Sequence, residues 1–277
     1  MELNLLEILF YGVVSGLTEF LPVSSQAHQK LLMSILGEDG SLSLLNFFVH
    51  LGILVALFVS SGGVLKRALR EYNFSKKSRR RRKREPNMQL ALDYNFVKIA
   101  TVPLLIAFFF YSKTLPFGDD PPILALLLAI NGLLLYIPTL VSRGNKDSRN
   151  MSSLDGFLFG LAGALSVFPG ISRVGASTSF ALLRGADTRN AYKWSLLFSI
   201  PALILLCCMD LYGLLVSGFG SLGYLNIMMC VLSGCAAYFA SSLTISFMKT
   251  LTANMKFTGF SYYSWGVALY IFILYLY

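Results

Sequence analysis

The sequence predicts an all-α membrane protein, a polytopic bundle of about six transmembrane helices and two re-entrant helical hairpins arranged as inverted repeats. Three observations predict this fold. Hydrophobic residues make up 55% of the chain and charged residues only 13%, with a mean hydropathy of +0.64, whereas soluble domains are roughly 25% charged. Several uncharged runs match the roughly 20 residues that cross a bilayer as a helix. Two further apolar runs are interrupted by proline, glycine and hydroxyl residues.

The uncharged runs predict six membrane-spanning helices within one membrane domain that covers residues 1–277. No charged residue occurs between Leu211 and Met248, and the segment SGFGSLG from Ser217 to Gly223 predicts the turn that divides this stretch into two helices. The predicted spans are Leu42 to Leu65, Phe96 to Tyr111, Pro121 to Val141, Trp194 to Val216, Tyr224 to Met248 and Phe257 to Tyr277.

A strongly basic connection separates the first two spans, and we assign residues 66–95 to a cytoplasmic loop. Eleven of the 23 basic residues lie between Lys66 and Arg84. Such a run could bind nucleic acid. Beside apolar spans, however, the positive-inside rule and contact with anionic lipid explain it better. We therefore predict membrane lipids as partners and no nucleic acid.

The N-terminal residues and the cysteines indicate no processing signal and no metal or disulfide framework. No Lys or Arg precedes Lys30, so the basic region of a cleaved signal peptide is not found and we expect the first segment to be retained. The cysteines lie in apolar stretches without acidic or histidine ligands at suitable spacing. They are Cys207, Cys208, Cys230 and Cys235.

The two interrupted runs, Leu3 to Leu36 and Leu154 to Arg184, predict the two hairpins and the place of a site. Non-helical backbone at membrane depth persists only where it is buried in protein or lines a wet cavity. Each run has a glycine six residues before a proline and a serine three residues after it, and the two prolines are 147 positions apart. We expect a first hairpin plus span over residues 1–65 and a second over residues 152–216.

The distribution of basic residues predicts that the two repeats are inverted. With the basic loop in the cytoplasm, Arg143 and Arg149 return to that side after two crossings. Counting crossings then places the entry of the first hairpin at the outer face and that of the second at the cytoplasmic face. In inverted-repeat membrane proteins, broken helices meet near the bilayer midplane and direct their positive N-termini at ligands.

The first break, around Pro22, carries Glu19, Ser24, Ser25 and His28. Either serine is a natural N-cap for a helix that begins after the proline, and both share a helix face with His28. A carboxylate in this apolar context needs a partner, for which His28, Arg173 of the second hairpin or a metal ion are candidates. An acid/base pair is the functional interpretation; a helix cap, a satisfied histidine and a carboxylate that only holds an arginine are the structural alternatives.

The second break has the composition of an anion-binding site. Gly170 allows backbone donors to approach a ligand closely, and Arg173 offers a fork that matches phosphate oxygens. Hydroxyl donors are supplied by Ser172, Ser177 and Thr178, and no acidic residue interrupts the segment. A helix N-terminus here would add its dipole.

These motifs resemble those of the undecaprenyl-pyrophosphate phosphatases, the bacitracin-resistance proteins that recycle the bacterial cell-wall lipid carrier. The resemblance covers nearly the whole chain and is most specific in GLTEFLPVSSQAH (Gly16 to His28) and PGISRVGAS (Pro169 to Ser177). Weaker matches occur at WSLLFSIP (Trp194 to Pro201) and at MDLY (Met209 to Tyr212).

The resemblance implies hydrolysis of a polyprenyl diphosphate to the monophosphate in the bacterial inner membrane, at a site open to the outer face. It implies that Arg173 clamps the diphosphate and that the nucleophile is His28, or Ser25 activated by it. Glu19 would be a base, an orienting group or the ligand of a divalent cation, Mg²⁺ or Ca²⁺. Ser24 and Ser172 would belong to the same site, and assembly as a homodimer is left open.

The chain departs from the family pattern one helical turn before Glu19. Family members usually carry a second glutamate there, and this chain has Ser15. The pair of carboxylates on one helix face is therefore broken, which predicts a divergent member of the family.

Two other functions are compatible with the sequence. Inverted repeats with broken helices also occur in carriers, so a catalytically impaired relative could bind or translocate a polyprenyl phosphate. A basic scaffold that recruits partners through its loop is a third interpretation. His50 is a further ambiguous residue, because it could line the cavity or be a packed, hydrogen-bonded histidine.

Overall fold

The computed structural model describes residues 4–37, 42–78, 84–142, 144–217, 224–252 and 257–276. Helices dominate these ranges, and extended pairing among them is limited to an isolated bridge between Lys146 and Ala186. Six helices within these ranges are long and apolar enough to cross a membrane, as predicted. The helices are α1 (Leu5–Glu19), α2 (Ser25–Leu36), α3 (Ser43–Ser75), α4 (Met88–Phe108), α5 (Tyr111–Thr114), α6 (Pro121–Tyr136), α7 (Ser153–Ala164), α8 (Arg173–Leu183), α9 (Thr188–Ser217), α10 (Tyr224–Leu251) and α11 (Thr258–Leu276).

The basic connection is shorter than the predicted loop over residues 66–95, because helices enter it from both sides. Helix α3 continues to Ser75 and α4 already begins at Met88. Lysine and arginine favour helices, so a hydropathy limit at Leu65 marks where apolar residues stop and not where the helix ends. Glu71 on the last turns of α3 pairs with Arg84 and accepts a hydrogen bond from the backbone N–H of Asn87 at 3.0 Å. The predicted loop residues 79–83 and the predicted turn residues 218–223 lie outside the described ranges.

Each interrupted segment forms two short helices that contact each other, α1 with α2 and α7 with α8. Pro22 and Pro169 lie in the breaks, as the sequence predicts. The depth of these breaks in a bilayer, and with it the re-entrant path of the chain, stays a prediction.

The first helix of each predicted repeat packs against a helix of the other repeat through small residues. Helix α1 packs along α10 and helix α7 packs along α4. Gly12 and Gly16 lie against Ser233 and Ala237, four residues apart on both helices, so α1 and α10 run parallel. Small residues at this spacing allow close approach of helix backbones in membranes. The hydroxyl of Ser233 donates to the carbonyl of Ile8 at 2.7 Å and fixes the crossing.

The second half repeats this arrangement with different residues. Gly156 and Gly160 of α7 lie against Phe96 and Ala100 of α4, again in parallel. Helices α3 and α9, the third in each half, pack against each other between these pairs. This exchange is the packing expected of two structural repeats.

Candidate active site

The first break ends α1 at Glu19 and restarts the chain as α2 at Ser25. Ser24 is the N-cap, as predicted, and its hydroxyl accepts from the backbone N–H of Ala27 at 3.5 Å. Its φ of 67° is positive, a conformation that a non-glycine residue adopts at a cost of roughly 1–3 kcal/mol. Such strain persists only where surrounding contacts hold the backbone in place.

The second break restarts the chain as α8 at Arg173. Ser172 is the N-cap, and its hydroxyl accepts from the backbone N–H of Gly175 at 3.1 Å. Gly170 has a φ of 114°, a region that is essentially restricted to glycine. A Cβ atom on this residue would also collide with Leu127 of α6. The sequence thus forms a tight turn that delivers Arg173 at a helix N-terminus.

The two breaks meet, and three interactions join them. The backbone N–H of Gly170 donates to the hydroxyl of Ser24 at 3.1 Å. The hydroxyl of Ser172 donates to the carbonyl of Leu21 at 3.3 Å. The guanidinium of Arg173 donates to the carboxylate of Glu19. In all three interactions the donor lies on the second break and the acceptor on the first.

Glu19 and Arg173 form a buried ion pair, in which the side chains are 8% and 7% exposed. Of the partners that the sequence allows for Glu19, the structure therefore selects the arginine. The Nε atom of Arg173 also donates to the hydroxyl of Ser199 at 3.1 Å, so the guanidinium is held on two sides. A buried pair of this kind is costly to break, because removing one partner leaves an uncompensated charge.

The predicted binding residues Ser177 and Thr178 are fully buried between α8 and α9. Their hydroxyls form hydrogen bonds with that of Ser195, at 2.8 and 2.7 Å. The hydroxyl of Ser177 also contacts the carbonyl of Arg173 at 2.7 Å. These residues support the helix that carries Arg173, and their direct contact with a ligand stays a prediction.

His28 and Ser25 share the start of α2 but bond to different groups. Nδ1 of His28 lies 2.8 Å from the carbonyl of Ser24, and Nε2 lies 2.8 Å from the hydroxyl of Tyr263. The hydroxyl of Ser25 donates to the carbonyl of Ser15 at 3.4 Å and accepts from Gln29 at 3.3 Å. Within the described part of the chain, no hydrogen bond joins His28 to Ser25, so activation of one by the other would need a change of rotamer.

The histidine lies at the edge of an apolar depression. The carbonyl of Ser24 can only accept, so Nδ1 of His28 carries the proton and Nε2 accepts from Tyr263. The two rings stack at 5.7 Å with an angle of 6°. The depression has a volume of about 300 Å³ and is lined by His28, Leu31, Tyr263, Gly266, Val267 and Tyr270.

Ser15, at the position of the missing family glutamate, is fully buried, and its hydroxyl has no hydrogen-bond partner. Only a few buried polar groups in a native protein lack a partner. The site therefore contains one carboxylate, that of Glu19, together with an unpaired hydroxyl one turn away on the same helix.

Sequence reasoning missed Asn131 of α6, which joins the two breaks. Its Nδ2 atom donates to the carbonyl of Pro22 at 3.1 Å and to the hydroxyl of Ser264 at 3.1 Å. Its Oδ1 atom accepts from the backbone N–H of Ser172 at 2.9 Å. A lone amide in an apolar span is the signal that could have found it, since polar residues are costly at membrane depth.

A second polar cluster joins helices α1, α3 and α9. Nδ1 of His50 on α3 lies 2.6 Å from a carboxylate oxygen of Asp210 on α9. The hydroxyl of Tyr11 on α1 donates to Asn46 at 2.6 Å. His50 is therefore a hydrogen-bonded residue of the interior, and its carboxylate partner belongs to the weaker MDLY match.

The described residues offer little for a metal ion by themselves. They contain no group of three or more His, Cys, Asp or Glu side chains that could hold one, and the carboxylate of Glu19 is paired with Arg173. A divalent cation at Glu19 would therefore need waters and substrate phosphate oxygens as its other ligands.

Comparison with known proteins identifies the family. A family model described as Bacitracin resistance protein BacA matches residues 8–270. A protein of Carboxydothermus hydrogenoformans named undecaprenyl-diphosphatase is 30% identical over 276 residues, covering 98% of both chains. Proteins with the same name from Halothermothrix orenii and Methanobrevibacter smithii are each 27% identical, again over 98% of both chains. The chain therefore belongs to the bacitracin-resistance protein family.

Proposed function

We propose that this family member hydrolyses undecaprenyl diphosphate to the monophosphate and thereby recycles the cell-wall lipid carrier. One observation carries the proposal: Arg173 lies buried at a helix N-terminus opposite Glu19, in the motifs that define the resemblance. The relatives that match over the whole chain bear the name undecaprenyl-diphosphatase. This name favours hydrolysis over translocation of a polyprenyl phosphate.

The second break binds the diphosphate in this mechanism. Arg173 supplies a fork for two phosphate oxygens, and the N-terminus of α8 adds its positive dipole end. The N–H of Gly170 and the hydroxyl of Ser172 now donate to the first break. A phosphate group that enters the site can accept these same hydrogen bonds. Donors fixed in advance stabilise the negative charge that develops in the transition state.

The first break handles the proton and the attacking group. The diphosphate replaces Glu19 as the partner of Arg173. The released carboxylate of Glu19 then orients the substrate or serves as a base. Ser24 stabilises the break, while Ser25 or His28 is the nucleophile. His28 must give up its hydrogen bond to Tyr263 before its Nε2 atom can attack.

The surroundings of the site support a lipid substrate. The apolar depression beside His28, about 300 Å³ in volume, is suited to an isoprenoid chain next to the reacting phosphate. We further propose that the protein lies in the inner membrane with this site open to the outer face. A Mg²⁺ or Ca²⁺ ion would be held by Glu19 together with substrate oxygens, and it would neutralise phosphate charge.

The test is release of inorganic phosphate from undecaprenyl diphosphate by purified protein, with Mg²⁺, with Ca²⁺ and with a chelator. We expect Arg173→Ala to lower kcat/KM by about 10³-fold or more. His28→Ala should lower kcat by at least about 10²-fold, as expected for the loss of a nucleophile or proton-transfer group.

Arg184 provides a matched control at the other end of α8. Its Nε atom donates to the buried carboxylate of Asp155 at 2.6 Å, so Arg184→Ala also breaks an ion pair but leaves the two breaks untouched. Its activity should stay within about threefold of that of the wild-type protein. Equal losses in Arg173→Ala and Arg184→Ala, or no phosphate release above Arg173→Ala by the wild-type protein, would contradict the proposal.

A further inference from the structure

The His50 and Asp210 pair has the geometry of a histidine oriented by a carboxylate. Its side chains are 7% and 15% exposed, and Nδ1 lies 2.6 Å from the carboxylate oxygen. An ionised carboxylate can only accept a hydrogen bond, so Nδ1 carries the proton. The lone pair of a neutral imidazole is then on Nε2. In hydrolytic triads, the same arrangement holds the histidine in the tautomer that can accept a proton.

The Nε2 atom of His50 is free to accept that proton. It has no hydrogen-bond partner among the described residues, and it is not one of the fully enclosed polar atoms without a partner, which are those of Ser15, Gln26 and Ser179. Its lone pair is therefore not used by another group of the described residues. In His28, by contrast, both ring nitrogens are engaged. Of the two histidines in the chain, His50 is the one available as a base.

His50 also lies beside the proposed phosphate site. Helices α1 and α3 both run parallel to α10, and Tyr11 of α1 bonds to Asn46 of α3. One turn further along the two helices lie Ser15 and His50. His50 thus lies at the level of Ser15, where other members of the family have the glutamate that this chain lacks.

We propose that His50, oriented by Asp210, accepts the proton from the water molecule that is consumed in the phosphatase reaction. The inference rests on the proposed function. The water oxygen bonds to the terminal phosphorus, the bond from this phosphorus to the bridging oxygen breaks, and polyprenyl monophosphate leaves with the bridging oxygen. One water proton passes to Nε2 of His50 and then to solvent, while the other stays on inorganic phosphate. In a two-step route through His28 or Ser25, the same transfer accompanies hydrolysis of the phosphorylated residue.

Other groups that titrate or carry charge surround the pair. Those around the histidine are Asp210 of α9, Glu19 of α1 and Arg173 of α8, and Tyr11 of α1 and Tyr111 of α5 lie near Asp210. Helix α10 has no charged residue before Lys249, and Lys249 bonds to Ser60 in the middle of α3, further along the helix than His50. The rate must fall on the acidic side as His50 becomes protonated, and Asp210 stabilises the protonated form.

The experiment compares kcat, KM and the pH–rate profile of the wild-type protein with those of His50→Gln and Asp210→Asn. We expect His50→Gln to lower kcat by about 10²-fold or more with KM within about twofold, and to lose the acidic limb of the profile. Asp210→Asn should lower kcat and move that limb to lower pH, since the imidazolium loses its carboxylate. Added imidazole should partly restore the rate of His50→Ala.

Asp93→Asn serves as the control for loss of a buried carboxylate. Asp93 bonds to the indole of Trp194 at 2.6 Å and to Lys193 at 2.8 Å, so its loss should leave the pH profile unchanged. If the wild-type protein is active and the His50→Gln variant keeps both the wild-type kcat and the acidic limb of the pH–rate profile, this inference is overturned and the proposed function is left intact. A wild-type protein that releases no phosphate would overturn both.

Discussion

The two breaks share a sequence pattern but differ in hydrogen-bonding polarity. Both place a proline before an N-capping serine, and both contain a residue with positive φ. In the first break that residue is Ser24, and the polar groups that face the second break accept hydrogen bonds. In the second break it is Gly170, and the groups that face the partner donate. Asn131 follows the same polarity, because it donates to the first break and accepts from the second.

This difference explains how the hydrogen-bond donors of the second break are satisfied in a buried position. A cluster of unpaired donors around Arg173 would be costly at membrane depth. The first break satisfies these donors with Glu19, Ser24 and a carbonyl group. A diphosphate offers the same kind of acceptor oxygens, so it can replace the first break as the partner of the second. In the proposed function, Glu19 occupies the place that a phosphate group takes beside Arg173.

The largest effect is expected when a side chain is placed at Gly170, the positive-φ residue of the second break. Gly170→Ala should destabilise the protein by about 3 kcal/mol or more, because it combines a φ of 114° with a collision at Leu127. The free energy of unfolding in detergent micelles measures the effect. Ser24→Gly is the matched change in the first break and should stay within about 1 kcal/mol, since relief of strain offsets the lost hydroxyl. Equal changes in the free energy of unfolding would show that the two positive-φ positions tolerate a change of side chain equally well.

A weaker disruption is expected at the residue that bridges the breaks. Asn131→Leu keeps a similar volume but leaves the N–H of Ser172 and the carbonyl of Pro22 without their partner. We expect a loss of about 2–4 kcal/mol in the free energy of unfolding and a parallel loss of phosphate release. Ser264→Ala is the control, because it removes only the third partner of Asn131 and should cost about 1 kcal/mol or less. A stable, active Asn131→Leu protein would show that the polarity of the breaks does not depend on this bridge.

The smallest effect is expected at Ser15 of α1, whose hydroxyl has no hydrogen-bond partner. Ser15→Ala removes a fully buried group that has no hydrogen-bond partner, so we expect a gain of about 1 kcal/mol in the free energy of unfolding. Phosphate release should not change, because the proton acceptor is His50 in the mechanism above. Thermal unfolding and the phosphate assay on the same sample test both parts. A loss of activity would instead assign a catalytic function to the serine hydroxyl.

Several features could be predicted from the sequence because they depend on neighbouring residues. Apolar runs of sufficient length predicted the six spans, and prolines beside N-capping serines predicted both breaks and the start of α2. The need of a buried carboxylate for a partner limited Glu19 to three candidates, one of which was Arg173. Helix ends were less well predicted, as for α3, because charged residues can continue a helix beyond the apolar run.

The sequence by itself determined a membrane bundle with two breaks, their capping serines and the residue types of an anion site, since periodicity, capping and burial costs are local properties of the chain. Only the tertiary structure decided which groups meet, because those contacts depend on how distant helices pack. Asn131 and Pro22 are 109 residues apart, His50 and Asp210 are 160 apart, and His28 and Tyr263 are 235 apart. Packing therefore engaged both nitrogens of His28 and left Nε2 of His50 without a hydrogen-bond partner among the residues that the structure describes.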